Sequence, residues 1–431
     1  MIDKAASYAL DALMKAGADK ASCSAGKGRK DEFNVEANKF TLLRTLFNDH
    51  LFLKVIKEGK KGEIAINKLD KDSINSAVAD CIALTEQATP DEAHDIAPMV
   101  ENKVFTQRIG GSDMAALFAK SKDFIEQIGD EFPKIMIEGM TAEFNSGEST
   151  YMNSNGVHFT GDSEFYSAGC MFSAKDGEKS TSFNGYGSNI RSLDTPFIDL
   201  GMQRTLLEES VKSLDTRMVD EKFVGKVIVT PACVDMIWYS IVSCFLSDFA
   251  MIQGTSRWKD ALGTLVADPK LTLRSAPLHP DMVCAERYTG DGFESKDYDL
   301  IKDGVLNSFA LSLYGAKKTG KPMASNSAWN FEIPSGDTAL SDMIKGVDKG
   351  ILLNRFSGAS PGASGDISGV AKNSFLIENG QVTDALAETM VGFNLVDVVK
   401  NITAISKERI SDGMSVLPWC CFDGITISGG N

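Results

Sequence analysis

Four histidines, His50, His94, His158 and His279, and eight cysteines are the side chains here that could grip a soft metal or attack a substrate. A zinc-binding helix needs two histidines one turn apart, as in His-Glu-x-x-His, and a structural zinc site needs paired Cys-x-x-Cys motifs. No two histidines share a helical turn, and neither motif occurs. Each histidine therefore reads as a surface or hydrogen-bonded residue. The adjacent thiols Cys420 and Cys421, after Trp419, have no neighbouring His or Cys and read as small apolar residues in a buried strand. A cysteine nucleophile needs a histidine base, which spacing does not supply. Carboxylates are abundant, but no spacing pairs two of them. The residues alone define no catalytic constellation.

The stretch from Phe356 to Val382 is the most unusual in the chain. Gly358, Gly362, Gly365 and Gly369 alternate with Ser357, Ser360, Ser364 and Ser368 before Phe375-Leu376-Ile377 and Glu378-Asn379-Gly380. A Walker loop needs Lys-Ser or Lys-Thr after its last glycine, whereas Gly369 leads into Val370-Ala371-Lys372-Asn373. A dinucleotide fingerprint needs a helix there, and Asn373 to Ile377 reads as a strand. A flexible linker is a poor fit between strand-forming flanks. A wide surface hairpin remains, or an exposed ribbon whose small side chains let another backbone approach.

The elements around it predict an α+β fold. An amphipathic helix carries Ala6, Leu10, Leu13 and Met14, with Gly17 as its stop. Strand-like pieces follow at Phe40 to Phe47 and Leu51 to Ile56, and the turn Glu58 to Gly62 returns into Glu63 to Ile66. Asp70 to Thr85 is helical. A second unit opens at Gly110-Gly111, with Ser112 as cap of a helix through Ile128. Antiparallel strands follow from Lys134 to Phe183, turning at Asn153 to Gly156 and Lys175 to Glu178. A helix from about Leu200 to Leu214 has Asp199 as its cap. The third unit starts with the strand Gly225 to Thr230, continues as one long apolar helix from Cys233 to Ile252, and ends in turn-dense β structure. The expected division is a mixed helix and sheet domain over 1–105, a helix with antiparallel strands over 106–222, and a β-rich domain with one buried apolar helix over 223–431.

The 431 residues are 43% hydrophobic, enough for two or three domains at roughly 150 residues each. The net charge of -15 argues against nucleic-acid binding, which needs a basic face. The most apolar run, Met236 to Leu246, is shorter than the roughly 18 residues of a membrane span. The N-terminal stripe carries Asp3, Asp11 and Lys15, unlike a secretory signal. Scattered cysteines suggest reduced thiols and a cytoplasmic protein.

Several segments together carry a resemblance. They are Lys15 to Asp19, Gly62 to Asp70 leading to Ala88-Thr89-Pro90-Asp91-Glu92, Asn153 to Gly156, Asp176-Gly177-Glu178, Phe356-Ser357-Gly358, Ser364 to Gly369, and Phe375 to Gly380. In order and spacing the chain resembles the TldD/PmbA family, once called modulators of DNA gyrase, over nearly its whole length. The resemblance implies a cytoplasmic zinc metallopeptidase built from two related subunits that cleaves extended or unfolded peptides. The TldD-type subunit carries His-Glu-x-x-x-His on a helix of its third unit, with a further cysteine ligand near its C-terminus. The corresponding helix here, Trp238 to Phe249, has neither histidine nor glutamate. The expectation is thus a PmbA/TldE-type subunit with no catalytic or metal-binding residues of its own. Zinc would be held by a TldD-type paralogue in a heterodimer. Ser357, Gly358, Ser364, Gly365, Asp366, Ser368 and Gly369 are expected to line a passage for extended peptide, the glycines leaving room for its backbone. Replacing Gly365 or Gly369 with Val is expected to weaken peptide cleavage and spare folding. Two alternatives stand beside this reading: a homodimeric peptide-binding regulator without metal, and an enzyme using Cys420 or Cys421 as nucleophile.

Overall fold

In the computed structural model, which describes residues 2–429, two large sheets carry the chain. Helix α1, Ile2–Lys15, turns Ala6, Ala9 and Leu13 into the core, with Asp3 in its first turn and Lys15 in its last, each suited to the helix dipole. Strands β1, Lys20–Glu36, and β2, Lys39–Lys57, form a long hairpin, and β3, Lys60–Ile66, returns along the second half of β2. The pieces expected at Phe40 to Phe47 and Leu51 to Ile56 are thus one continuous strand. Helix α2, Lys71–Gln87, is capped by Asp70, whose Oδ1 accepts from Ser73 N at 2.9 Å.

The same sheet continues beyond β1. Strand β4, Lys103–Gln107, is followed by helix α3, Met114–Glu131, and then by β5, Ile135–Asn153, and β6, His158–Asp176. The order across the sheet is β3-β2-β1-β5-β6-β4, so residues from 1–105 and from 106–222 hydrogen-bond into one layer. The meander from Lys134 lies as expected, but two caps do not. Asp113, not Ser112, caps α3 by accepting from Ala116 N at 2.8 Å. Asp199 caps nothing: helix α4 spans Gln203–Lys212, and Asp199 Oδ1 instead accepts from Arg204 Nε at 2.8 Å. One face of the sheet is covered twice. Ala21, Cys23, Ala25, Leu51, Leu53 and Val55 pack with α1 and α2, while Phe33, Met140, Phe144 and Tyr166 pack with α3 and α4.

The second sheet is built from strands between Thr216 and Gly429. Strand Phe223–Val229 lies parallel to Lys349–Leu353 and antiparallel to the C-terminal strand Val416–Gly429. Its end feeds helix α5, Pro231–Ile241, with proline in the first turn, where its missing N–H costs nothing. The single apolar helix expected through Ile252 is interrupted. A π-helical turn, Val242–Leu246, follows α5, Ser247 is extended (φ -73, ψ 159), and α6, Asp248–Ile252, starts anew with Ser247 Oγ accepting from Ala250 N at 3.4 Å. Wholly buried Trp238 packs against Phe422 of the C-terminal strand, ring centroids 6.4 Å apart. Among the described residues no helix is long and apolar enough to cross a membrane. Truncating Trp238 to Ala should cost about 3–5 kcal/mol through the cavity left behind, measurable as a lowered denaturation midpoint.

Candidate functional site

The Gly-Ser stretch folds as a hairpin. Arg355–Gly358 pairs antiparallel with Asp366–Lys372, setting Ser357 opposite Val370 and Gly358 opposite Gly369. The second of these strands also pairs with Thr389–Asn394 along its other edge. The backbone of Gly369 to Ala371 is therefore flanked on both sides and cannot receive a peptide strand, whereas Asp366 to Ser368 is paired only with Thr389–Asn394. The outer edge of Arg355–Gly358 has no strand beside it among the described residues, although the Cys233 thiol of α5 meets the Phe356 backbone there. Ser357, Asp366 and Ser368 share one solvent-exposed face. Ser364 and Gly358 are also exposed.

The two remaining residues of the expected passage are buried, and their glycines serve the hairpin itself. Phe356 lies across Gly358 and Gly369. A Cβ on Gly369 would come within 2.5 Å of Phe356 Cζ and 2.6 Å of Ser357 O. Gly365 holds φ +82, and its Cβ would meet Phe245 Cζ at 2.9 Å. The expectation that valine at either position would spare folding does not fit this packing.

The loop before Asp366 rests directly on the interrupted helix. Cys244 Sγ donates to Pro361 O at 3.6 Å, and Phe245 fills the space beside Gly365. Two residues that local sequence gave no reason to choose complete the anchor. Ser364 O accepts from Arg257 Nη1 at 3.1 Å and from Asn394 Nδ2 at 3.0 Å. Asn394 Nδ2 also donates to Asp366 Oδ1 at 2.9 Å, and this bond, with a smaller one from Ser364, holds the Asp366 carboxyl below its ordinary pKa.

The segment Trp238 to Phe249, where the resemblance places metal ligands in TldD-type chains, offers little to a cation. Trp238, Ile241, Phe245 and Leu246 are buried in the core. Asp248, its one carboxylate, is engaged by the Ser312 backbone N–H at 2.9 Å and by the Ser312 hydroxyl. Cys420 is wholly buried opposite Val229, and burial pushes its thiol far above the usual range; burial also raises Cys421. Such thiols are poor nucleophiles at neutral pH. Among the described residues no group of three or more His, Cys, Asp or Glu side chains is arranged to hold a metal ion. These residues do not fit zinc. Gly358-Ala359-Ser360-Pro361-Gly362 has the spacing of a serine nucleophile elbow, but that motif needs a strand-to-helix turn, and here it spans a hairpin loop.

Two acids outside the stretch are tuned by burial. Asp235 on α5 is pushed up to about 6, chiefly by desolvation. Glu209 on α4 accepts from Asn354 Nδ2 at 2.6 Å, at the root of the hairpin, and desolvation raises it to about 7.

A profile of the PmbA/TldA metallopeptidase C-terminal domain matches residues 223–429. The "Metalloprotease PmbA homolog" of Haemophilus influenzae is 22% identical over 94% of this chain and 91% of its own length. Among solved structures, TldE from Thermococcus kodakarensis superposes with a TM-score of 0.83 at 17% identity, covering 98% of this chain and 100% of its own. A Bacteroides thetaiotaomicron protein, described as a proposed modulator of DNA gyrase, gives 0.86 at 23% identity over 99% of both chains.

Gly365→Val and Gly369→Val should each lower the melting temperature, and Gly365→Val should cost about 1–3 kcal/mol of stability from backbone strain alone. Glu209 retains in the folded state a proton that the unfolded chain releases. Stability should therefore fall as pH rises from about 4.5 to about 7, by on the order of 3 kcal/mol in total. Glu209→Gln should gain stability over the native chain at pH 8 and gain none at pH 4, read from thermal melts across that range.

Proposed function

Because this chain belongs to the PmbA/TldD family, we propose that it is the non-catalytic, peptide-holding subunit of a metallopeptidase whose zinc is carried by a TldD-type partner. The observation that carries this reading is the chemistry of Trp238 to Phe249. Zinc hydrolysis needs ligands that hold the ion and a base that takes a proton from its bound water. On this helix those places belong to indole, phenyl and aliphatic groups packed into the core.

What the chain keeps is the ribbon above that helix. Its exposed face of Ser357, Asp366 and Ser368 is polar, small and rigidly anchored through Arg257 and Asn394. Such a surface suits an extended peptide recognised through its main chain, with little demand on its side chains. Strand addition has two edges that no strand covers among the described residues, the stretch beyond Phe356 and Asp366 to Ser368, and Ser364 serves as a lateral contact.

The test is co-expression with a His-Glu-x-x-x-His paralogue, followed by metal analysis and peptidase assays of each chain alone and together. Zinc should follow the paralogue, and turnover of unfolded peptides should require both chains. Ser368→Trp, on the exposed face, should reduce turnover by the pair about tenfold, equivalent to roughly 1.4 kcal/mol of lost binding, without moving the melting temperature. Stoichiometric zinc and unaided hydrolysis in this chain alone would overturn the assignment. Peptide binding with no turnover in any mixture would favour a regulatory role.

A further inference from the structure

Beside α5 a short loop is held in a strained shape. Buried Ala328 sits at φ +57, a left-handed conformation that is costly for a residue with a Cβ. Two nearly wholly buried asparagines fix it there. Asn326 Oδ1 accepts from Ala328 N at 2.8 Å, and Asn330 Nδ2 donates to the carbonyls of Cys284 and Met414, each at 3.0 Å. Trp329, between them, is nevertheless 60% exposed. Its carbonyl accepts from the Tyr239 hydroxyl at 3.1 Å, and the two ring centroids lie 5.8 Å apart. The surroundings of Tyr239 are acidic. Asp235, one helical turn earlier on α5, and Asp412 both act on its hydroxyl, which burial and then these two charges hold above its ordinary pKa. The two acids line one cavity of about 190 Å³ between α5 and the strand Asn184–Ile190 of the first sheet. That is many times the roughly 10–15 Å³ that one water needs. Asp235 Oδ1 accepts from the adjacent Met236 N at 2.7 Å, and Asp412 Oδ1 accepts from Met414 N and Ser415 N at 2.8 Å. Neither acid is ion-paired among the described residues. Arg191, which shares Cys284 as a neighbour with Asp412, gives its Nη groups to the carbonyls of Pro280 and Met282. Burial, with a smaller push from Asp412, lifts the Asp235 carboxyl to about 6, as expected of paired acids that no cation neutralises.

We propose that Trp329, Asp235 and Asp412 form a recognition site for an arginine side chain presented by a peptide. The guanidinium enters the cavity toward the two carboxylates, and the flat side chain lies along the exposed indole. Oδ2 of each acid accepts no hydrogen bond among the described residues and is available to the guanidinium. Arginine suits such a place better than lysine. Its fork of N–H donors matches carboxylate oxygens, its plane stacks on an aromatic face, and it is weakly hydrated and so tolerates a half-buried position. A neutral group would leave the repulsion between the acids in place, and an anion would add to it in a chain of net charge -15. The site requires neither the Gly-Ser ribbon nor a metal, and it goes beyond the peptidase reading.

The experiment uses the full chain alone and a short fluorescein-labelled peptide, blocked at its N-terminus, with one central arginine. A second peptide carries citrulline at that place, which keeps the shape and removes the charge. Anisotropy titrations should show the arginine peptide binding about tenfold more tightly than the citrulline peptide. Asp235→Asn should remove most of that preference. Trp329→Ala should weaken the arginine peptide by about fivefold. Both variants should keep the native far-ultraviolet circular dichroism spectrum, since one side chain is largely exposed and the other is an unneutralised acid. Equal affinity of the native chain for the two peptides would overturn the proposal. So would an arginine preference that survives both substitutions, or no binding by the folded native chain. Turnover plays no part in this measurement, so an inactive mixture with the paralogue would count against the peptidase reading and leave the arginine site standing.

Discussion

The burial of α5 and its π-helical turn against the C-terminal strand fixes the geometry of the candidate site. Trp238 against Phe422 holds the helix to the second sheet. Phe245, one step further along, presents its ring to the backbone of Gly365. The hairpin loop can lie flat on the helix only because that glycine has no side chain, and Ser364 is then delivered to Arg257 and Asn394. The same apolar side chains that exclude metal chemistry thus form the floor on which the ribbon stands. A metal-binding helix would need polar groups there and room around them, and packing of this density leaves neither.

Much of the architecture was legible in local patterns. The stripe of α1, the helix starting near Asp70 and the turn that opens at Glu58 depend on neighbours within a few residues, and each lies close to where its pattern placed it. Strand β1 was not legible. Its centre, Gly26-Lys27-Gly28-Arg29-Lys30, shows no alternation of apolar and polar residues, and its second partner is β5, more distant along the chain. Residues such as Gly28, opposite Gly147, are strand-like only because both neighbours supply hydrogen bonds. The break at Ser247 was hidden for a different reason. An apolar run has the same composition whether wound as an α-helix or loosened into a π turn, and the interruption is set by tertiary contacts, including Ser312 on Asp248.

At the candidate site the composition of the Gly-Ser stretch did not separate its exposed residues from its buried ones. Alternating glycine and serine reads as bare backbone offered outward. The exposed serines answer to that, but Gly365 and Gly369 face inward, toward Phe245 and Phe356. Composition does not distinguish a glycine kept small for a ligand from one kept small for a neighbouring ring. Arg257 and Asn394 were invisible for a related reason: each becomes part of the site only when the fold brings it to the carbonyl of Ser364.

The position of β1 between β2 and β5 also has a temporal side. A ribosome emitting this chain releases the hairpin of β1 and β2 early, yet one edge of β1 stays open until residues through Asn153 have emerged. Strand β4 likewise waits for β6 before it can pair. Closing such distant partners is slow compared with local helix or hairpin formation. The nascent first half therefore spends its earliest moments with β1 open on one side, when chaperone binding would protect it most.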